Sequence, residues 1–167
     1  LIWYVSPQQQ LNVAYTEVDF DQKIRSMIKT GNAQMMLSEW EINQFMKQWL
    51  YDHRQVSEEI EITGLRSEVQ KEQLKLILNL KVYNTLRIGA VLQYRMEWKP
   101  PNLVAALEQA NIRNFKIPPE QIPLKEIVFP VATQLPDWMK IEEIFFDYGR
   151  IWINFELDRE YIEQNLL

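Results

Sequence analysis

Two long runs of alternating apolar and polar residues constrain the fold of this chain most. A period of two is typical of β-strands that have one buried face and one solvated face. A tight hairpin at Asn84-Thr85 joins the two runs, so they predict a pair of long antiparallel strands. At about 3.3 Å per residue the second run spans roughly 40 Å, which predicts a strongly twisted and curved sheet. The apolar positions are Leu74, Leu76, Leu78, Leu80 and Val82, then Leu86, Ile88, Ala90, Leu92, Tyr94, Met96 and Trp98.

A helix over residues 38–52 precedes these strands. Ser38 and Glu41 have the spacing of a capping box, and Leu37 with Ile42 has the spacing of a hydrophobic staple. One apolar stripe follows at helical spacing and is too bulky to face water, so it must cover a sheet or a groove. Its members are Ile42, Phe45, Met46, Trp49 and Leu50. A second, shorter helix is predicted over residues 18–29.

The rest of the chain favours short strands and turns. Period-two alternation begins near residue 58, and Gly64 is expected to break or bulge that strand. Residues 102–110 are compatible with either a helix or a strand. Prolines divide residues 117–136 into short pieces whose apolar side chains must still lie on the core. A hairpin turns at Asp147 to Arg150, with Gly149 at the position that favours positive φ. The predicted fold class is α+β.

Composition excludes several classes of function. The 167 residues suit one domain, and the net charge of −5 with a pI near 5.0 disfavours a nucleic-acid-binding module. Without Cys and with His53 as the single His, the chain has no disulfide, Cys-based zinc site or multi-His metal site. His53 beside Asp52 does not make a catalytic triad, and no phosphate-binding glycine loop is present. We therefore predict no enzymatic activity, no cofactor and no metal.

The sequence predicts a separate N-terminal segment over residues 1–17, followed by a single domain over residues 18–167. Leu1 to Val5 are all apolar, but five residues are far fewer than the roughly 20 that a transmembrane helix needs. Two interpretations stay open. The pentapeptide is either the end of a membrane anchor or linker, or an ordinary first strand that packs on the domain.

The helix Leu37 to Phe45 (LSEWEINQF) resembles the corresponding helix of the YpmS-like membrane-anchored proteins of Bacillota, an uncharacterised family related to the tubular lipid-binding (TULIP-like) superfamily. The later segments Ile62-Thr63-Gly64, Phe115 to Pro118 and Ile144 to Ile151 follow in the same order. The resemblance implies a long, strongly curved antiparallel sheet wrapped around the helix, an apolar groove, and a single N-terminal anchor that holds the domain on the extracytoplasmic face of the cell membrane. The prolines at 118, 119 and 123 depart from the family pattern.

Two functions from different classes follow. The first is a non-enzymatic extracytoplasmic module that binds a lipid or acyl chain between helix and sheet, since the apolar faces exceed what a small domain usually carries. The alternative is a cell-envelope protein–protein interaction domain without a ligand cavity. Because the strands are longer than the helix, a pocket is expected near Met96 and Trp98 or at Leu86. The predicted groove-lining residues are Ile42, Phe45, Met46, Trp49, Leu78, Leu80, Ile88, Leu92, Tyr94, Met96 and Trp98.

Overall fold

A computed structural model of the protein, which describes residues 6–167, confirms the α+β fold. Its largest element is an antiparallel sheet that curls through 199° into a half-barrel. Leu1 to Val5, for which two interpretations were left open, lie outside the described residues. The half-barrel consists of six strands, β2 (Ile60–Gln70), β3 (Gln73–Val82), β4 (Leu86–Lys99), β5 (Asn102–Ile112), β6 (Phe115–Ile117) and β7 (Glu126–Phe129). Their order in the sheet is β2-β3-β4-β5-β6, and β7 also pairs with β5.

The predicted alternation gives this sheet two different faces. The leucines of β3 lie on the concave face, where Leu76 pairs with Leu92 of β4 and both are buried. Charged residues occupy the convex face, as in the pair Lys75 and Glu68. The register shifts between Ile62 and Gly64, so the bulge expected at this glycine is confirmed.

Two helices precede the half-barrel, α1 (Phe20–Thr30) and α2 (Glu39–Tyr51). The predicted capping box of α2 is present, because the Glu41 N–H donates to Ser38 Oγ and the Ser38 N–H donates to Glu41 Oε1. Helix α2 lies along the free edge of β2, where Asn43 Oδ1 accepts a hydrogen bond from the Ser67 N–H at 2.9 Å. Side chains of the helix thus satisfy backbone donors that an edge strand would otherwise expose.

Residues 102–110, which the sequence left open between helix and strand, form strand β5. Pairing with β4 on one side and with β6 and β7 on the other overrides the helical propensity of their Ala and Leu residues. Its concave side chains include Ala105 and Ala110, which are buried and small enough for another layer to approach closely. Two 3₁₀ helices, Pro119–Gln121 and Val131–Gln134, flank β7.

A smaller three-stranded sheet completes the fold, in the order β1-β9-β8. It consists of β1 (Gln34–Ser38), β8 (Met139–Asp147) and β9 (Arg150–Leu157), and helix α3 (Arg159–Asn165) follows. Gly149 turns the β8–β9 hairpin with φ of 68°, as predicted. Within residues 6–167, no helix is long and apolar enough to cross a bilayer.

Residues 7–12 form a strap across the convex face of the half-barrel, with a bend at Gln8 and Gln9. Gly64, Asn79 and Gly89 are register neighbours on β2, β3 and β4, and together they make a shallow channel across the three strands. A Cβ added to Gly64 would lie 2.6 Å from the backbone of Leu11, and one added to Gly89 would lie 2.8 Å from Pro7 Cα. The strap therefore lies against bare backbone at both glycines.

Hydrogen bonds hold the strap in this channel. Asn79 Nδ2 donates to the carbonyl oxygen of Gln9 at 3.0 Å, and the Leu65 N–H donates to the carbonyl oxygen of Asn12 at 3.2 Å. Farther along the chain, the Thr16 N–H donates to the buried side chain of Gln44 on α2. The strap thus joins the convex face to the helix side of the molecule.

Candidate functional site

The predicted groove-lining residues lie between α2 and the concave face of the half-barrel. Those fully buried in one core cluster are Ile42, Met46, Leu78, Leu92, Tyr94 and Met96. Those half-buried and packed against the cluster are Phe45, Trp49, Leu80 and Trp98. Ile88 is half-buried near the beginning of β4. The structure therefore brings the helix stripe and the sheet stripe into one continuous apolar interior.

The proline-rich segment 117–135, here termed the cover, packs against this interior. Ile127 of β7 is 1% exposed and lies opposite Ala105 of β5. Phe129 lies opposite Leu103, and its ring is 6.0 Å from that of Trp49 in an edge-on contact. The cover therefore reaches from β5 to the last turn of α2. Its other apolar residues that pack against the core are Ile117, Ile122, Leu124 and Leu135.

A short series of hydrogen bonds fastens the cover. The hydroxyl of Tyr94 donates to the carbonyl oxygen of Leu124 at 2.8 Å, and the Leu107 N–H donates to the carbonyl oxygen of Lys125 at 2.8 Å. Pairing of β7 with β5 extends over four residue pairs only. Burial raises the pKa of Tyr94 well above its ordinary value, so the phenol remains neutral and keeps donating at physiological pH.

The cover occupies the place where the long strands were expected to leave a pocket. Trp98 pairs with Leu103, which in turn pairs with Phe129 of the cover, and Met96 is buried. The sequence required the apolar residues of segment 117–136 to lie on the core, and this is confirmed for Ile127. It did not identify this segment as the occupant of the predicted pocket, since the prolines hide a strand of only four residues.

Two surface depressions accompany this interior. One, of about 360 Å³, lies between Glu108–Ala110 on β5 and Lys116–Pro119 at the beginning of the cover. The other, of about 60 Å³, lies between α1 and α3 and is lined in part by Met27 and Ile162. Neither is lined by a residue predicted for the groove, but the larger one borders Ala110, whose register partner is Leu92 of the concave face.

Features of catalytic chemistry are sparse in the described chain. His53 follows the end of α2, where its ring stacks on Trp49 at 4.2 Å and Nδ1 lies 2.7 Å from the Trp49 carbonyl oxygen. Across residues 6–167, no three Asp, Glu or His side chains lie close enough together to hold a metal ion. The chemistry that this region offers is apolar contact and one buried phenol.

Comparisons with known proteins return no relative. No known protein family, curated protein or solved structure matches this chain.

Proposed function

We propose that this protein is a non-enzymatic module that binds an apolar ligand, of the lipid or acyl-chain class, between α2 and the concave face of the half-barrel. The proposal includes a TULIP-like relationship and an extracytoplasmic location, with the domain tethered to the cell membrane through its N-terminal side. The observation that carries the proposal is the cover, whose apolar side chains occupy the space between helix and sheet.

The way the cover is attached supports this function. Its side chains are apolar, so an acyl chain could replace them at about the same gain of 25 cal/mol per Å² of buried apolar surface. Its backbone is held by the four residue pairs of β7 and by the pairing of Ile117 with Ala110. Single hydrogen bonds add to these, from Tyr94 to Leu124, from the Leu107 N–H to Lys125 and from the Ala132 N–H to Pro101. A segment with few backbone hydrogen bonds opens at lower free energy than the long strands beneath it.

Ligand size and route also fit this region. Binding sites for small molecules usually measure about 300–1,000 Å³ and are lined by apolar and aromatic side chains. The depression of about 360 Å³ has a volume in this range, but its lining is mixed and includes Glu108 and Lys116. It lies at the end of the cover that is held by the three-residue strand β6, next to Ala110. We propose that the ligand enters there as the cover lifts, and that Tyr94 then donates its hydrogen bond to the polar end of the ligand.

An engineered disulfide across the cover tests this proposal. Ala106 and Glu126 are opposite each other on β5 and β7, in a non-hydrogen-bonded pair whose geometry suits a disulfide. The natural chain has no Cys, so within one molecule the double variant Ala106→Cys/Glu126→Cys can form only this one disulfide, and its monomeric state is checked by non-reducing electrophoresis. The reduced form of the same protein is the matched control.

The expected result is that a fluorescent fatty acid binds the natural chain and the reduced variant, and that binding falls at least tenfold in the oxidised variant. Mass spectrometry of organic extracts should also find lipid in the purified natural chain. Absence of both co-purified lipid and fatty-acid binding in the natural chain would overturn the function. Equal binding by the oxidised and reduced variant would overturn entry under the cover.

One observation favours the second candidate, a protein-interaction domain at the cell envelope. Met36, Trp152 and Phe145 are register neighbours on β1, β9 and β8, and Met36 and Phe145 are exposed. They form an apolar row on the outer face of the small sheet, of the kind that is enriched in protein interfaces. A single stoichiometric protein crosslinked from membranes by the natural chain, and lost with Phe145→Ser, would favour this candidate over lipid binding.

A further inference from the structure

The convex face of β2, β3 and β4 carries the opposite charge to the protein as a whole. The whole chain has a net charge of −5. On this face, however, basic side chains outnumber acidic ones by two to one. The basic residues are Arg66, Lys75, Lys81, Arg87, Arg95 and Lys99, and the acidic residues are Glu61, Glu68 and Glu97.

The ion pairs of the convex face leave positive charge uncompensated. Glu68 lies 3.0 Å from Arg66 and 4.0 Å from Lys75, so two basic side chains share one carboxylate. Arg87 and Arg95 are exposed, and neither has a carboxylate within 4 Å among residues 6–167. The face therefore presents an excess of about three positive charges on an acidic protein.

The strap brings apolar sequence to the same face. Pro7 lies against Gly89 of β4, two residues from Arg87, so the first described residues of the chain lie on the basic surface. The five residues that precede Ser6 in the sequence are Leu-Ile-Trp-Tyr-Val, all of them apolar or aromatic. Basic residues next to apolar and aromatic ones match a bilayer, which offers anionic headgroups beside hydrocarbon. A nucleic acid would satisfy the charges alone.

We infer that the convex face, with the strap across it, is a docking surface for an anionic lipid bilayer. Arg87 and Arg95 contact headgroup phosphates, and the concave side with its cover faces away from the bilayer. This inference is based on the convex face, the strap and the excess of positive charge, and it does not require a ligand between α2 and the sheet. It therefore stands or fails separately from the proposed acyl-chain site.

Sedimentation of the 167-residue chain with vesicles tests the inference. Vesicles of phosphatidylcholine alone are compared with vesicles that contain phosphatidylglycerol, over a series of salt concentrations. The variant Arg87→Gln/Arg95→Gln removes two charges from the convex face. The matched control, Lys29→Gln/Lys140→Gln, removes two exposed charges from α1 and β8.

The natural chain should bind the anionic vesicles preferentially, and binding should weaken as salt rises. Loss of the two arginines should lower the association constant about 25-fold, since each basic residue near an anionic surface contributes about fivefold. The lysine control should change it less than twofold.

Three results would overturn the inference: no preference for anionic vesicles at low salt, equal loss in the two variants, or tighter binding to single-stranded RNA than to vesicles. Because all four positions are exposed, circular dichroism should report the same fold for both variants. The natural chain's salt dependence and its preference between lipids do not depend on either variant. Vesicle binding should also be equal in the oxidised and the reduced Ala106→Cys/Glu126→Cys variant, which separates this inference from the acyl-chain proposal.

Discussion

The strap crosses the convex face of the half-barrel, whereas the cover pairs with the β5 edge and packs against the interior, and the two segments are held in different ways. The strap lies in a channel of bare backbone at Gly64 and Gly89, and Asn79 binds its main chain. The cover instead inserts apolar side chains such as Ile127 and Phe129 into the interior. One segment is therefore positioned by close backbone approach and hydrogen bonds, and the other by burial of apolar surface.

This difference indicates which segment can be exchanged for a ligand. A close backbone approach depends on steric fit, and an added methyl group is enough to disturb it. Apolar burial is non-directional, so another apolar group of similar size can take its place. Under the proposed function, the cover is therefore the segment that we expect a lipid to displace, while the strap stays in place on the convex face.

The largest effect is expected from trimming the cover where it enters the core. Ile127→Ala should lower the free energy of unfolding by about 2–5 kcal/mol, since a buried side chain leaves a cavity when truncated. The neighbouring Val128, on the same strand, is 44% exposed, so Val128→Ala should cost about 0.5 kcal/mol or less. Urea unfolding of both variants measures the difference. Equal losses would mean that the cover is not held by apolar burial.

A smaller loss of stability is expected at the strap, where the substitution adds atoms to a close contact instead of removing them from the core. Gly64→Ala adds a methyl group 2.6 Å from the Leu11 backbone, so the strap must shift, at a cost of about 1–3 kcal/mol. The conformation of Gly64 itself is not left-handed, so the cost comes from the neighbour. Thr63→Ala, at an exposed position beside it, serves as the control, since it removes a hydrogen bond to the Asn79 carbonyl oxygen within the sheet but adds nothing against the strap.

Limited proteolysis reports the displacement of the strap directly. Cleavage between residues 6 and 12 should become faster in Gly64→Ala and stay unchanged in Thr63→Ala. If Gly64→Ala unfolds at the same urea concentration as the natural chain and resists cleavage equally, the strap is not seated on the glycine.

These two segments also mark how far sequence can predict this fold. The alternating leucines of β3 and the capping box at Ser38 and Glu41 are periodic or local signals, and the elements they predicted are present. The strap has no such signal. Gly64 was expected to bulge its strand, but its alignment with Asn79 and Gly89 depends on strand register.

The candidate site shows the same limit in another form. The apolar stripes that face each other, such as Met46 and Leu78, were identified from periodicity, and both are buried in the same cluster. What fills the space beside them is decided by a long-range pairing, that of Ala105 with Ile127. Periodicity indicates that a side chain is buried, but it does not indicate which distant segment buries it.

The smallest expected effect on stability concerns the ion pair that joins α1 to α2. Lys23 Nζ of α1 lies 2.9 Å from Glu41 Oε2, and the backbone and hydroxyl of Ser38 donate to Glu41 Oε1. Partial burial by itself would raise the pKa of Glu41, but the hydrogen bonds from Lys23 and Ser38 outweigh it and hold the pKa below its ordinary value of 4.5.

A carboxylate whose pKa is lowered by folding stabilises the folded state above its unfolded pKa, and this contribution is lost as pH falls through the folded pKa.

The variant Glu41→Gln keeps the capping side chain but removes the charge. At pH 6 we expect the free energy of unfolding of the natural chain to be higher than that of Glu41→Gln by roughly 1 kcal/mol or less, because the ion pair is partly exposed to solvent. That difference should shrink when the pH falls well below 4.5, whereas the exposed control Glu163→Gln should differ little from the natural chain at either pH. Urea unfolding at the two pH values measures it, and a difference that stays constant would show that the charge of Glu41 does not fasten α1 to α2. The cover has no ion pair of this kind among the described residues, so its attachment should not depend on pH over the same range.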